Sequence, residues 1–195
     1  LYFLIGDVSG KGVPASLFMA ITRSLFRTLS QHVLSPAKIV TEMNNSISDN
    51  NESNMFVTLI VGILDLETGI LKLCNAGHNP PILIYPDGQV SYLEFKTQIF
   101  VGVVEDFKYS DEEVVLEKES KLFLYTDGVT EAENINKELY GEEKLLEMLS
   151  DNASSDVRTT VNVVVDSIAS HVKEAEASDD LTILLIQYEP GTANS

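Results

Sequence analysis

The stretch that decides the fold is residues 1–18, LYFLIGDVSGKGVPASLF, in which an apolar run gives way to a small-residue turn and then to a helical pattern. Asp7 stands where the strand predicted over residues 1–6 ends, among three glycines that permit unusual backbone dihedral angles. Pro14 suits the first turn of a helix, where its missing N–H is not needed. Turns of this kind cradle a phosphate, bind a dinucleotide or hold a metal ion.

The two nucleotide-binding interpretations fit poorly. A P-loop requires four residues between its first glycine and a Gly-Lys pair that precedes Ser or Thr. Only three residues separate Gly6 from Gly10, and a glycine follows Lys11 where the hydroxyl should be. Residues 10–15 match the dinucleotide pattern G-x-G-x-x-A, but that motif requires a second parallel strand after the helix. Another helix is predicted to begin at Pro36 instead, so a nucleotide-binding oxidoreductase remains only a weak alternative.

The third interpretation is a metal site built from carboxylates at strand ends. Asp127 follows a strongly apolar strand and precedes a glycine, and Asp179 and Asp180 directly precede the last predicted strand. Hard divalent cations take oxygen ligands of this type. Taken singly, each aspartate is more simply a turn residue or part of a solvated strand edge. Together with Asp7 they predict one metal site at which three strand ends converge.

Composition narrows the class of protein. The 195 residues include 30 acidic and 13 basic side chains, a formal charge of −17, which argues against nucleic acid because backbone phosphates would be repelled. The charge suits either cation binding or solubility alone. A single cysteine, Cys74, excludes an intrachain disulfide, favours a cytoplasmic location and is expected to be a buried strand residue. No apolar run predicts a membrane span or a signal peptide, so no membrane contact is expected of this domain.

Hydrophobic periodicity predicts a strand, two helices, many strands, two helices and a final strand. This order lacks the strict alternation of a parallel sheet and predicts an α+β fold of antiparallel sheets with helices outside. The middle strands are predicted to form an antiparallel meander. The first helix is predicted to bury one apolar stripe of Leu17, Phe18, Ile21, Leu25 and Leu29. The helices are predicted over 14–32, 36–48, 142–151 and 155–173, and the main strands over 1–6, 55–66, 70–76, 82–85, 89–95, 107–116, 121–126 and 180–188.

Four separated motifs occur in the order found in one enzyme family. They are GDVSGKGVPASLFMA (6–20), NAGHNPP (75–81), LFLYTDGVTEA (122–132) with ELYGEEKL (138–145) after it, and SDDLTILLI (178–186). In this order they resemble the metal-dependent protein serine/threonine phosphatases (PPM family), in particular the bacterial SpoIIE/RsbU-like phosphatase domain. The resemblance covers residues 1–188 as one domain and leaves 189–195 as a tail that is expected to be disordered.

The resemblance implies a four-layer α-β-β-α sandwich of two mainly antiparallel sheets with a binuclear Mn²⁺ or Mg²⁺ centre between them. Carried over by motif, Asp7 bridges both metals and the main-chain carbonyl of Val8 binds the second metal. Asp127 and Asp179 bind the first metal, and Asp180 is a supporting residue. The catalytic residues are therefore expected to be the three aspartates, with no organic cofactor.

The implied reaction is hydrolysis of phosphoserine or phosphothreonine on a protein, in which a water activated by the two metals attacks phosphorus. By the same resemblance the substrate is expected to be an anti-sigma factor antagonist in a bacterial signalling pathway. A sensory or regulatory domain is expected upstream in the parent chain. The alternative is a catalytically impaired regulatory module that keeps the fold and acts by binding. His78, in the second motif, is expected to make local hydrogen bonds in a turn rather than to act as a general acid.

Two departures from the family pattern affect these expectations. Family members begin with two further strands and another acidic motif ahead of the residue that corresponds to Leu1. The chain taken alone is therefore expected to bind metal weakly, to show reduced or no activity, and to expose a sheet edge. An exposed edge invites pairing with another chain, which includes a homodimer. Residues 100–102, Phe-Val-Gly, stand where the family has Pro-Leu-Gly, which is expected to alter packing only.

Overall fold

A computed structural model describes residues 1–49, 51, 54–175 and 179–190, and they form the predicted α+β fold of two mainly antiparallel sheets and four helices. The chain divides into two compact units, Leu1–His78 with Phe95–Val115 and Asn79–Glu94 with the described residues from Leu116 onward. In the described residues no helix is both long and apolar enough to span a bilayer. Of the tail predicted over 189–195, residues 191–195 lie outside the described residues.

The first unit contains a five-stranded sheet and two helices. Strands run in the order β1-β2-β3-β6, and β7 also pairs with β3; all pairs are antiparallel except β3 with β6. The elements are β1 (Tyr2–Val8), α1 (Val13–Leu29), α2 (Pro36–Ser48), β2 (Val57–Leu64), β3 (Ile70–Ala76), β6 (Thr97–Gln98) and β7 (Glu112–Val115).

The core of this unit lies between α2 and the sheet. Ile39, Val40 and Met43 are fully buried against apolar side chains of β2 and β3. Gly62 in β2 is required by packing, since a Cβ there would lie 2.1 Å from Cζ of Phe3. Cys74 is buried as predicted, and burial raises the pKa of its thiol to about 12.

The second unit contains a four-stranded antiparallel sheet in the order β5-β4-β8-β9, with both remaining helices packed against one face. Phe123 and Tyr125 of β8 form the centre of this core. Lys121, at the start of β8, is also buried, and its ammonium group donates hydrogen bonds to the carbonyls of Ala153 and Ser155. The elements are β4 (Ile82–Ile84), β5 (Val90–Tyr92), β8 (Lys121–Tyr125), α3 (Glu142–Asp151), α4 (Val157–Val172) and β9 (Ile183–Gln187).

Three predictions about local structure were wrong. The middle strands do not form one meander, because the break at residues 77–81 sends β4 into the second sheet, where it pairs with β5 and β8. The short strand β6 was not predicted. The apolar stripe of α1 excludes Leu17 and Ile21, which are 61% and 54% exposed. Residues four apart in the sequence are rotated by about 40° from each other around a helix. A series spaced by four residues, such as 17, 21, 25 and 29, therefore drifts away from the buried face.

The N-terminus of α4 gives a prediction about stability. Asp156 is its N-cap and accepts hydrogen bonds from the hydroxyl (2.7 Å) and the N–H (3.0 Å) of Thr159, which lower the pKa of the carboxyl. A lowered folded-state pKa stabilises the fold above the unfolded-state pKa, roughly 3.9, and this contribution is lost as pH falls through the folded-state value. We therefore expect Asp156→Ala to lower the melting temperature at pH 7, with a difference from wild type that shrinks below about pH 4.

The matched control is Asp166→Ala, which removes the same charge from an exposed position in the middle of α4. Thermal melts followed by circular dichroism from pH 2 to pH 7 measure both variants. An equal loss in both variants, or a loss at pH 7 that persists unchanged at pH 2, would contradict the capping role of Asp156.

Candidate metal centre

Asp7 is the next-to-last residue of β1 and does not lie beyond the strand, because β1 continues to Val8. Asp7 pairs with Thr58 and Val8 pairs with Val57 across β1 and β2. The pairing continues past the strand, since Ser9 N–H donates to the carbonyl of Phe56 at 2.9 Å. The chain then enters α1 through Gly10 and Gly12, whose φ angles of 85° and 80° explain the glycines of the opening turn.

Asp127 lies directly after β8, where the strand is joined to the segment before β9. Thr126 N–H donates to the carbonyl of Thr182 at 3.1 Å, and the Thr126 hydroxyl donates to the carbonyl of Asp180 at 3.2 Å. Gly128 lies against the same segment so closely that a Cβ would be 2.3 Å from the Asp180 carbonyl oxygen. These contacts fix the backbone on both sides of Asp127.

Asp179 and Asp180 form a short turn ahead of β9. The Asp179 carboxylate accepts the N–H of Asp180 at 2.9 Å, and both side chains are exposed. The fold of the second unit therefore brings the Asp127 and Asp179–Asp180 segments together. Ser178, the first residue of that motif, lies outside the described residues.

The four proposed metal ligands are divided between the units. Asp7 and Val8 belong to the first unit, and Asp127 and Asp179 belong to the second. In the described part of either unit, no three or more His, Cys, Asp or Glu side chains are grouped as a complete metal cluster. The binuclear centre as a whole therefore remains a prediction from the motifs.

One carboxylate oxygen has the property that a metal ligand requires. Oδ1 of Asp127 is enclosed by protein and accepts no hydrogen bond from any described residue. Burying a carboxylate oxygen without a hydrogen-bond partner costs free energy, because the oxygen loses its hydrogen bonds to water and gains none from the protein. A hard divalent cation would supply the missing partner. The donor set of this segment therefore fits Mn²⁺ or Mg²⁺.

Sequence reasoning missed a polar network next to Asp7. His78 is buried, and its Nδ1 lies 3.0 Å from the hydroxyl of Thr58, the cross-strand neighbour of Asp7. Asn75 holds the His78 backbone, accepting its N–H at 2.8 Å and donating to its carbonyl at 3.0 Å. The local hydrogen bonds predicted for His78 are confirmed. The link to Thr58 could not be read from the motif, since the two residues meet only through strand pairing.

Comparison with known proteins identifies the family. The family model for stage II sporulation protein E (SpoIIE) matches residues 1–189, and the chain belongs to this family. It is 26% identical over 184 residues to the phosphoserine phosphatase RsbU of Bacillus subtilis, covering 94% of this chain and 54% of RsbU. It is 26% identical over 213 residues to the protein IcfG of Synechocystis, covering 95% of this chain and 33% of IcfG. The chain thus spans between a third and about half of these relatives.

Solved structures agree on the fold. The RsbU and RsbW domains of Rv1364c from Mycobacterium tuberculosis superpose with a TM-score of 0.81 at 23% identity, covering 98% of this chain and 52% of that one. The SiaA-PP2C domain of Pseudomonas aeruginosa gives 0.81 at 24% identity, with coverage of 97% and 79%. The catalytic domain of the phosphatase PstP, solved with two manganese ions, gives 0.69 at 13% identity, with coverage of 94% and 86%.

Proposed function

We propose that the chain is a metal-dependent protein phosphatase that hydrolyses phosphoserine or phosphothreonine, with residues 1–188 as its catalytic domain. This proposal rests on Oδ1 of Asp127, which is enclosed, has no hydrogen-bond partner among the described residues and belongs to a segment in contact with Asp180. Membership of the SpoIIE family and similarity to RsbU, a phosphoserine phosphatase, support the same reaction.

The chain's own residues would bind and orient the reacting groups. Asp7, Asp127 and Asp179 would hold the cations with their carboxylates, and Val8 would contribute its backbone carbonyl. When bound, a pair of Mn²⁺ or Mg²⁺ ions supplies Lewis-acid activation of water and neutralises charge on the phosphoryl oxygens. The hydrogen bonds of Thr126 to the segment before β9 would keep Asp127 aimed at the site as phosphate enters and leaves.

Membership of the family also supports a proposal about the substrate, the location and the regulation of the chain. We propose an anti-sigma factor antagonist as the phosphorylated substrate, a cytoplasmic location, and control by a sensory or regulatory domain in the parent chain. The relatives support this arrangement, because RsbU and IcfG extend well beyond the matched region. We further propose a homodimer through β1, which lies at one edge of its sheet among the described strands.

A binding module with the phosphatase fold is the second candidate. Such a module would bind a phosphoprotein without turning it over. The two candidates differ in whether hydrolysis depends on metal.

The deciding experiment measures hydrolysis of p-nitrophenyl phosphate and of a phosphoserine peptide. The chain is first treated with EDTA, and Mn²⁺ is then titrated into the millimolar range. Hydrolysis of both substrates that is abolished by EDTA and restored by Mn²⁺ supports the phosphatase. Hydrolysis that resists EDTA would overturn it, and the absence of hydrolysis at every Mn²⁺ concentration would favour the binding module.

A further inference from the structure

The loop that follows β6 exposes apolar side chains close to the proposed metal site. Val103 and Val104 are 49% and 43% exposed, and the ring of Phe100 is also partly open to solvent. Two acidic side chains, Glu105 and Asp106, follow directly and are exposed. We call Phe100, Val103 and Val104 the apolar ledge.

The backbone of the ledge is held in place although its side chains are open to solvent. Asn44 of α2 accepts the N–H of Gly102 at 2.9 Å and donates to the carbonyl of Val104 at 2.8 Å. Asn51 donates to the carbonyl of Gly102 at 2.9 Å. A surface whose backbone is already ordered loses little conformational entropy when a ligand binds.

The ring of Phe100 is fixed as well. It packs on the ring of Phe56 with centroids 4.7 Å apart, and it covers Gly77, where a Cβ would lie 2.6 Å from the ring. Phe56 is in turn bound to the end of β1, since its N–H donates to the hydroxyl of Ser9 at 2.9 Å. The ledge and the Asp7 end of β1 are therefore parts of one rigid patch of the first unit.

Strand pairing sets the distance from Val101, which adjoins Phe100 of the ledge, to the proposed ligand Val8. Val57 pairs with Val8 on one side and, through two hydrogen bonds of 3.1 and 3.0 Å, with Val101 on the other. Two strand spacings place the backbone of Val101 about 10 Å from that of Val8. An extended peptide covers about 3.3 Å per residue, so this distance corresponds to about three residues.

We propose that the apolar ledge is a substrate-docking site that binds apolar side chains two to three residues from the phosphorylated serine. This inference rests on the proposed function, because the phosphate must sit at the Asp7 end of β1. Glu105 and Asp106 complement a basic residue one position further along the same peptide. The occupant is thus an extended phosphoserine segment with leucine-like side chains followed by lysine or arginine.

Two synthetic peptides test the ledge. One is a nonapeptide with a central phosphoserine, glycine on each side of it, leucines two and three positions away in both directions, and a lysine at each end. The other carries serine in place of the four leucines. The measured quantity is the ratio of kcat/KM for the two peptides with Mn²⁺ present, with p-nitrophenyl phosphate as a substrate that is too small to reach the ledge.

The test variant is Val103→Ser/Val104→Ser, which changes exposed side chains and leaves Phe100 in place. We expect the wild-type chain to prefer the leucine peptide about tenfold, the scale set by burying one apolar side chain, and the double variant to lose this preference. Val115→Ser is the matched control, because Val115 is exposed and pairs with Ile70 at the opposite end of the sheet from Val57. This control should keep the preference.

The outcomes separate this inference from the proposed function. Equal kcat/KM for the two peptides, or a preference that survives in the double variant, would show that the apolar ledge is not a docking site. Hydrolysis of p-nitrophenyl phosphate would still support the phosphatase activity in that case. If p-nitrophenyl phosphate is not hydrolysed at any Mn²⁺ concentration, the proposed phosphatase activity is wrong. The proposal that the apolar ledge docks a substrate is then wrong as well. A thermal melt of each variant shows whether it is folded.

Discussion

Asp127→Asn is expected to reduce Mn²⁺-dependent hydrolysis of p-nitrophenyl phosphate by at least about 100-fold. Residues that only orient metal ligands already contribute 10–100-fold to metal affinity or activity, and Asp127 is proposed as a ligand itself. The substitution is nearly isosteric, but it removes the negative charge from a carboxylate whose Oδ1 is enclosed and without a partner among the described residues. Initial rates across a Mn²⁺ titration, together with calorimetric measurement of Mn²⁺ binding, give both effects.

Asp87→Asn is the matched control for this substitution. Asp87 also precedes a glycine, but it accepts the N–H of Gln89 in an exposed turn and is not proposed to bind metal. We expect this variant to retain the rates and the Mn²⁺ affinity of the wild-type chain. If Asp127→Asn and Asp87→Asn behave alike, the assignment of Asp127 as a metal ligand is wrong.

Gly128→Ala is expected to have the largest effect on the segment that positions Asp127. The added Cβ would lie 2.3 Å from the Asp180 carbonyl oxygen, and that atom belongs to backbone, so it cannot rotate away as a side chain would. The strands β8 and β9 must separate locally or the Asp127 turn must rotate. We expect a loss of about 1–3 kcal/mol in the free energy of unfolding and a weaker affinity for Mn²⁺.

Urea denaturation and calorimetric Mn²⁺ titration measure these two consequences of Gly128→Ala. The comparison variant is Gly88→Ala, where the space is open but the φ of 91° is unfavourable for alanine. Gly88→Ala should lower stability through backbone strain and leave Mn²⁺ affinity unchanged. An unchanged Mn²⁺ affinity in Gly128→Ala would show that the contact with Asp180 does not position the proposed ligands.

Local structure could be predicted from the sequence where the residues of a single segment determine whether it forms a helix or a strand. The helix Pro36–Ser48 begins with Ser35 as N-cap and Pro36 in its first turn, and both residues favour a helix start. The strand Val57–Leu64 has no polar side chain except Thr58, as expected for a covered strand. Pairing between distant strands carries no such signal, so the assignment of β4 to the second sheet and the existence of β6 could not be predicted.

In the proposed site, too, local features could be predicted from the sequence, but contacts between distant segments could not. The Asp-Gly pair after an apolar strand marked Asp127, yet the same dipeptide occurs at Asp87, where it is only a turn. The enclosed Oδ1 distinguishes the two, and the backbone on both sides of Asp127 contacts a segment more than fifty residues away, near Asp180. The link between Thr58 and His78 depends on strand pairing in the same way.

The single cysteine makes the chain suitable for site-selective chemical labelling. Cys74 is buried with a pKa of about 12, so at pH 7 only roughly one thiol in 100,000 is the reactive thiolate. A Val103→Cys variant would carry one exposed thiol against this unreactive background. A fluorophore attached there would report contact with the apolar ledge directly, without removal of the native cysteine.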